Sequence, residues 1–390
     1  MAPTKPHTPS TRAKSTPDQR TATAKSSQTP WPQKTELLSL TFDLKASKDY
    51  DLYSQYSIGL HAWFLQQIQE SNPELSQILH DEASEKAFTV SGLDGAFVPS
   101  GQQLRLVRGK TYRWTVTALS KPLVQWLSGW LDHLPQTLDL RNAPLAIHSV
   151  KVDSATTYKA LGKLPYPEKP KVALSFTSPT SFRSRGRHLP LPIPRNIFHS
   201  YLRRWNDLSD QPTVDQTEFL DWLDDHVIIL RHGVRSLKVA AGKRGSVTGF
   251  IGAIEMGLTG PSATRPEFVQ LFCTLGQFAP YCGTGHKTTF GLGQTRLGWT
   301  SPDRTDMAVA DPAAQTSQLL AQRIDDLTAR FMAQRKRQGG DRARSAAEIW
   351  ATALARREFG ESLMDIAEDM GLKHETVKSY VKRARKSLRD

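Results

Sequence analysis

Across 390 residues the chain sets 51 Lys and Arg against 38 Asp and Glu, for a formal charge of +13, with 38% hydrophobic residues. That length accommodates two or three domains with ordinary cores, and the positive excess favours polyanionic partners, either nucleic acid or an acidic membrane surface. Composition speaks against three other classes. No apolar run approaches the roughly 18 to 20 residues of a membrane span, and the N-terminus lacks the apolar core of a secretory signal. The two cysteines, Cys273 and Cys282, have no CxxC partners with which to build a zinc site or a disulfide framework. A cytoplasmic chain with core thiols, no metal and no cofactor is the expectation.

Residues 1–35 are rich in Pro, Ser and Thr and carry six Lys or Arg against Asp18. Such a segment buries too little apolar surface to offset its ordering entropy, so a disordered basic tail is expected. From Leu37 the pattern changes. Leu38, Leu40, Phe42 and Leu44 alternate as a strand, and Tyr53, Tyr56, Leu60, Trp63, Phe64 and Ile68 recur at helical spacing. Asn72-Pro73 reads as an N-cap with proline at the first helical position, opening a short helix that ends near His80. Strands at 88–90, 103–107 and 112–117, a helix at 122–133 and a strand at 145–152 follow. The succession fits a ferredoxin-like module over residues 36–155.

A second module is expected over residues 156–300. Val172, Leu174 and Phe176 alternate as a strand, 192–206 and 217–226 read as helices, and 227–230, 237–240 and 247–256 as strands. A helix at 267–278 precedes the glycine-rich run Gly283–Trp299, with glycines at 283, 285, 291 and 293 enclosing His286 and Lys287. Glycine lets backbone approach a ligand closely, which suits a polyanion. The run lacks both the GxGxxG of a dinucleotide fold and the Gly-x4-Gly-Lys-Ser/Thr of a phosphate loop, so by spacing alone a tight strand–helix connection is an equal reading. Other basic positions are placed to meet nucleic acid: Arg183, Arg185 and Arg187 in the loop SFRSRGRH, Arg203 and Arg204 on a helix, and Lys243-Arg244 between Gly242 and Gly245 at a hairpin tip. Each could equally be a solvated charge.

The glycine-rich run resembles the C-terminal signature of the CRISPR-associated endoribonucleases that cut repeat RNA, the Cas-six family. The resemblance extends over most of 37–300. It includes Leu60-His61-Ala62, Ser71-Asn72-Pro73, Leu79-His80, Ser178 to Arg183, Pro192 and Pro194, Arg204-Trp205-Asn206 and Gly249-Phe250-Ile251-Gly252. It implies an α+β fold of two tandem ferredoxin-like (RRM-like) modules. It also implies metal-independent cleavage of precursor RNA within repeats, the 2'-OH attacking the adjacent phosphate to leave 2',3'-cyclic phosphate and 5'-OH ends. That reaction needs a base, an acid and positive charge near the phosphorane oxygens.

Leu79-His80-Asp81 and Lys86-Ala87-Phe88-Thr89 match the family pattern, placing His80 on its catalytic histidine and Lys86 on a lysine that stabilises the transition state. At the C-terminal end of a helix an imidazolium is favoured; without the resemblance, His80 would be read as a capping or surface residue and Lys86 as a solvated charge. His61 is the runner-up, with packing on an amphipathic helix as its plainer role. The chain departs from an archaeal branch of the family in having no tyrosine at 65–68.

Beyond a linker and charged helix at 301–342, residues 343–390 read as three helices. ESLMDIAEDMGLKHETVKSYVKRARKSLR resembles the helix-turn-helix region of sigma factors and response regulators. The motif would present Lys373, His374, Thr376, Lys378 and Ser379 to base edges, while Lys382, Arg383, Arg385, Lys386 and Arg389 neutralise phosphate. DNA and RNA stand as alternatives, as does a helical domain used for protein contact, and CRISPR effector proteins are further expected partners. Against the endoribonuclease stands one other class: a non-cleaving nucleic-acid-binding regulator or CRISPR complex subunit.

Overall fold

A computed structural model describes residues 31–53, 55–80, 85–100, 103–141, 143–184, 186–240, 245–300, 312–334 and 340–388. Residues 1–30 of the expected tail, Asp81, Arg185, Lys243, Arg244, Arg389 and residues 301–311 of the expected linker lie outside the described residues.

The first unit runs β1 (Leu37–Ala46), β2 (Tyr50–Leu52), α1 (Tyr56–Ser71), α2 (Pro73–His80), β3 (Phe88–Val90), β4 (Val98–Ser100), β5 (Gln103–Leu106), β6 (Thr111–Ala118), α3 (Lys121–Leu131), β7 (Thr137–Asp139) and β8 (Pro144–Thr156). Five strands form an antiparallel sheet in the order β3-β6-β1-β8-β7, with β2-β5-β4 as a small side sheet. The alternation in β1 explains its place: Leu38, Leu40, Phe42 and Leu44 are fully buried with Phe64, Ile68, Trp114, Leu123 and Leu127, as a strand covered on one face requires. Trp31, inside the segment assigned to the tail, is only 6% exposed and joins the same core. The ordered unit therefore begins before residue 36.

The second unit runs α4 (Tyr158–Gly162), β9 (Lys171–Thr180), β10 (Phe182–Ser184), β11 (Arg187–Leu189), α5 (Pro194–Leu208), α6 (Gln216–His226), β12 (Val227–Ala240), β13 (Ser246–Leu258), α7 (Pro266–Cys282) and β14 (Thr295–Leu297). Its antiparallel sheet has the order β12-β13-β9-β14. Two strands expected at 227–230 and 237–240 are one strand, because β12 pairs with β13 along its whole length and a bulge between Ile229 and Arg231 absorbs the break in pattern. The arginine-rich loop at 181–188 is a hairpin, with Arg183 paired opposite His188. Cys282 is buried, and burial foremost pushes its thiol up to about 12.

Four helices follow: α8 (Pro312–Ala333), α9 (Asp341–Glu358), α10 (Leu363–Met370) and α11 (His374–Ser387). The charged helix expected after the linker packs into a core. Leu320, Ile324, Leu327 and Phe331 of α8 share one core with Ala351, Leu354, Ile366, Val377 and Val381. This body is fastened to both units. Arg356, fully buried, donates to Glu361 and to Asp369 at 2.5 Å, and Arg141 of the first unit donates to the same Asp369 at 2.5 Å while lying 4.7 Å from the ring centre of Tyr53. Gln103 Nε2 donates to Phe359 O at 3.1 Å, and Gly245 N–H donates to Thr352 Oγ1 at 3.0 Å. Among the described residues no helix is long and apolar enough to cross a membrane.

Candidate active site and nucleic-acid interface

Asn72 Oδ1 accepts from Leu75 N–H at 3.0 Å, the side-chain cap that starts α2. Leu75, Ser76 and Leu79 turn into the core, which leaves His80, the last residue of the helix, exposed. Lys86 returns to this point, its Nζ donating to Leu79 O at 3.0 Å. A cation thus satisfies a helix-terminal carbonyl one residue from the imidazole. His61 sits on α1. Half-buried, its ring packs 4.2 Å from that of Phe290 and 5.8 Å from that of Phe88, in the contact between α1 and a 3-10 turn at Thr288–Phe290. Its ring is thus packed between aromatic neighbours.

The glycine-rich run needs its glycines for an internal reason. A Cβ at Gly285, φ +77°, would stand 2.3 Å from Ser181 O, and one at Gly293, φ +66°, would stand 2.1 Å from Thr284 O. The close approach is to the loop's own backbone and to the end of β9, and Gly283, Gly285, Gly291 and Gly293 are all buried. They shape the loop; the faces it shows come from other residues.

Arg204 corrects a further expectation. It is 6% exposed, and its guanidinium donates to Gly285 O at 2.9 Å and Gly283 O at 3.3 Å. It supports the loop from beneath and has no access to a ligand, because the loop's inward carbonyls need a donor there. Its neighbour Arg203 is half-exposed and pairs with Glu85 at 2.5 Å. Glu85 also meets Arg204 Nε at 3.4 Å, and its backbone N–H donates to Asp207 Oδ2 at 2.8 Å. Neither Glu85 nor Asp207 carried any sequence signal, since their meeting spans more than a hundred residues.

On the outer side, Arg183 and Arg187 are exposed on the hairpin. His188 of that hairpin stacks on His286 of the loop, ring centres 5.1 Å apart. Burial foremost lowers the His286 pKa to about 4, so the ring is neutral at pH 7. Its Nδ1 lies 2.9 Å from Ser181 O, an acceptor only, which puts the proton on Nδ1. His286 thus presents a neutral ring whose Nδ1 proton is engaged by Ser181 O. Lys287, in a left-handed conformation with φ +61°, has its pKa lowered to about 8 by burial first and by Arg183 second, and stays charged at neutrality. His188 was an unmarked member of the quoted SFRSRGRH, and only the hairpin register brings it to the loop.

In the helical body, α10 ends at left-handed Gly371, with Leu372 N–H donating to Ala367 O at 2.8 Å. Val377, Val381 and Ala384 bury one side of α11. Lys373, His374, Lys378, Lys382, Arg383, Arg385 and Lys386 are exposed, whereas Thr376 and Ser379 are half-buried, less available than expected. Glu375 tempers the start of this face, 3.6 Å from Lys378.

A family model described as the CRISPR Cas6 N-terminal domain matches residues 38–166, and one described as CRISPR-associated endoribonuclease Cas6 matches 174–295. A CRISPR-associated endoribonuclease Cas6 from Streptococcus thermophilus is 28% identical over 126 residues, 32% of this chain and 49% of that protein. The match thus spans about half the length of that relative. Among solved structures, one Cas6 product complex superposes with a TM-score of 0.55 at 26% identity, covering 67% of this chain and 100% of that one. Thermus thermophilus Cas6 does so at 0.51 and 26%, covering 68% and 99%. The two family models adjoin, together take in both sheet units and more than half of the sequence, and end before α8: the chain belongs to the Cas6 family.

Proposed function

We propose that this protein is a metal-independent endoribonuclease that binds CRISPR precursor RNA and cuts it within the repeats. The observation that carries the reading is the Lys86 ammonium on the carbonyl adjoining His80, at the exposed end of α2. Attack of the ribose 2'-oxygen on the adjacent phosphorus forms the cyclic phosphate, and the departing 5'-oxygen takes a proton to become 5'-OH. His80 holds or delivers a proton in this exchange, an imidazole being able to act as either acid or base. Lys86 offsets charge on the phosphorane oxygens. Arg183, Arg187, Arg203 and Lys287 line the route of the RNA backbone, with Arg185, Lys243 and Arg244 proposed to extend it. We read the two sheet units as ferredoxin-like modules: in each, four strands follow the order of a β-α-β-β-α-β unit, with the first and third strands in the middle. A cytoplasmic location and contact with CRISPR effector proteins belong to the same proposal.

The helical body we read as a helix-turn-helix domain that binds nucleic acid through α11, on the strength of its one-sided basic face. That face also favours the second reading, a non-cleaving nucleic-acid-binding regulator or complex subunit. The test incubates purified protein and His80→Ala with labelled repeat RNA in EDTA. Cutting at one position, ending in a cyclic phosphate and reduced by about 10² or more in the variant, is the expected result. Tight binding without cutting would favour the regulator, and cutting that survives His80→Ala would move the search to other groups.

A further inference from the structure

A line of contacts crosses from the second unit into the candidate cleavage site, and it passes through Glu85. On one side the Glu85 carboxylate is shared by Arg203 Nη2 at 2.5 Å and Arg204 Nε at 3.4 Å, and its backbone N–H is held by Asp207, all three partners lying on α5. Arg204 continues the line into the glycine-rich loop through Gly283 O and Gly285 O. On the other side the next residue is Lys86, with its Nζ on Leu79 O. The side chains of Glu85 and Arg204 are 20% and 7% exposed, so water screens their pairing weakly. A carboxylate flanked by two guanidinium groups in such a setting is held by weakly screened charge.

We propose that Glu85 is a positioning residue for RNA cleavage: it anchors the segment bearing Lys86 to α5, so that the ammonium stands at the His80 end of α2. The inference rests on the assignment of His80 and Lys86 to the reaction. A lysine side chain is a flexible four-carbon stem, so where its charge sits depends on how firmly its own backbone is held. Displacement by about 1 Å in a reacting constellation can cost about 10² in rate. The same carboxylate neutralises a buried arginine that shapes the loop, which couples the placement of bound RNA to that of the cleaving groups.

The test is single-turnover cleavage of repeat RNA by the full chain as wild type, His80→Ala, Glu85→Gln, Glu85→Asp, Lys86→Ala and the Glu85→Gln/Lys86→Ala double variant. RNA dissociation constants and thermal midpoints are measured for each. Glu85→Gln is expected to slow cleavage about tenfold or more while leaving the dissociation constant within about twofold. It should add little further loss in the Lys86→Ala background, because nothing is left to position. Glu85→Asp, which keeps the charge on a shorter stem, should recover part of the rate. Equal slowing in both backgrounds, or a loss confined to affinity or to the thermal midpoint, would make Glu85 a staple between units and overturn the proposal. Wild-type protein that never cuts, or His80→Ala that cuts as fast as wild type, would overturn the underlying assignment and this inference with it. Those two samples alone separate that failure from a failure of Glu85.

Discussion

Two arginine-bearing stretches of the second unit face opposite ways. On the 182–189 hairpin Arg183 and Arg187 stand in solvent, whereas on α5 Arg204 is enclosed and spends its donors on the carbonyls of the glycine-rich loop. The same side chain is open to solvent in one place and in the other donates to backbone carbonyls that have no amide partner there. Charge alone therefore does not mark an interface. A guanidinium belongs inside wherever glycines fold backbone so tightly that its carbonyls have no amide to meet.

The contrast can be broken most decisively at Arg204. Arg204→Ala should cost about 3 kcal/mol or more of stability, read by denaturant unfolding, because it strands carbonyls of the loop and uncovers Glu85. A loss under about 1 kcal/mol would mean the arginine is no strut. Gly293→Ala, forced to place its Cβ 2.1 Å from Thr284 O, should follow at about 2 kcal/mol. The loop's glycines would then be shown to serve shape. On the outer side, the double change Arg183→Ala/Arg187→Ala should leave stability within about 0.5 kcal/mol. It should lower the salt dependence of RNA binding by about 0.7 per lost phosphate contact, and an unchanged salt slope would remove the hairpin from the interface. The smallest expected effect is that of pH on Lys287. Its pKa is lowered to about 8, so the side chain is charged below that value and neutral above it. RNA affinity should fall a few-fold between about pH 7 and about pH 9, a step that Lys287→Arg flattens because arginine does not titrate there.

Local signals were legible wherever a face is fixed by burial. The alternation of Leu38 to Leu44 locates β1, Asn72-Pro73 locates the start of α2, and Gly371 locates the turn before α11. The middle of β12 was not legible, because Arg231-His232-Gly233 interrupts the apolar pattern while backbone pairing with β13 carries the strand through it. The side on which Arg204 lies was equally hidden, since a helix bearing Arg203 and Arg204 shows no marker of which one turns inward until the loop at 283–293 is folded over it. The partnership of Lys86 with His80 was suggested by family resemblance and by nothing in spacing, while the reach of Lys86 back to Leu79 O was legible in neither. Glu85 had no signal at all: its partners on α5 are defined only when the two units meet.

Arg141, Asp369 and Arg356 join the helical body to the first unit through charges that are mostly out of water. A body fastened in this way keeps a fixed place against the first unit. If α11 binds nucleic acid as proposed, what it holds would lie at a constant bearing and range from the His80 end of α2, two marks on a ruler set by the fold.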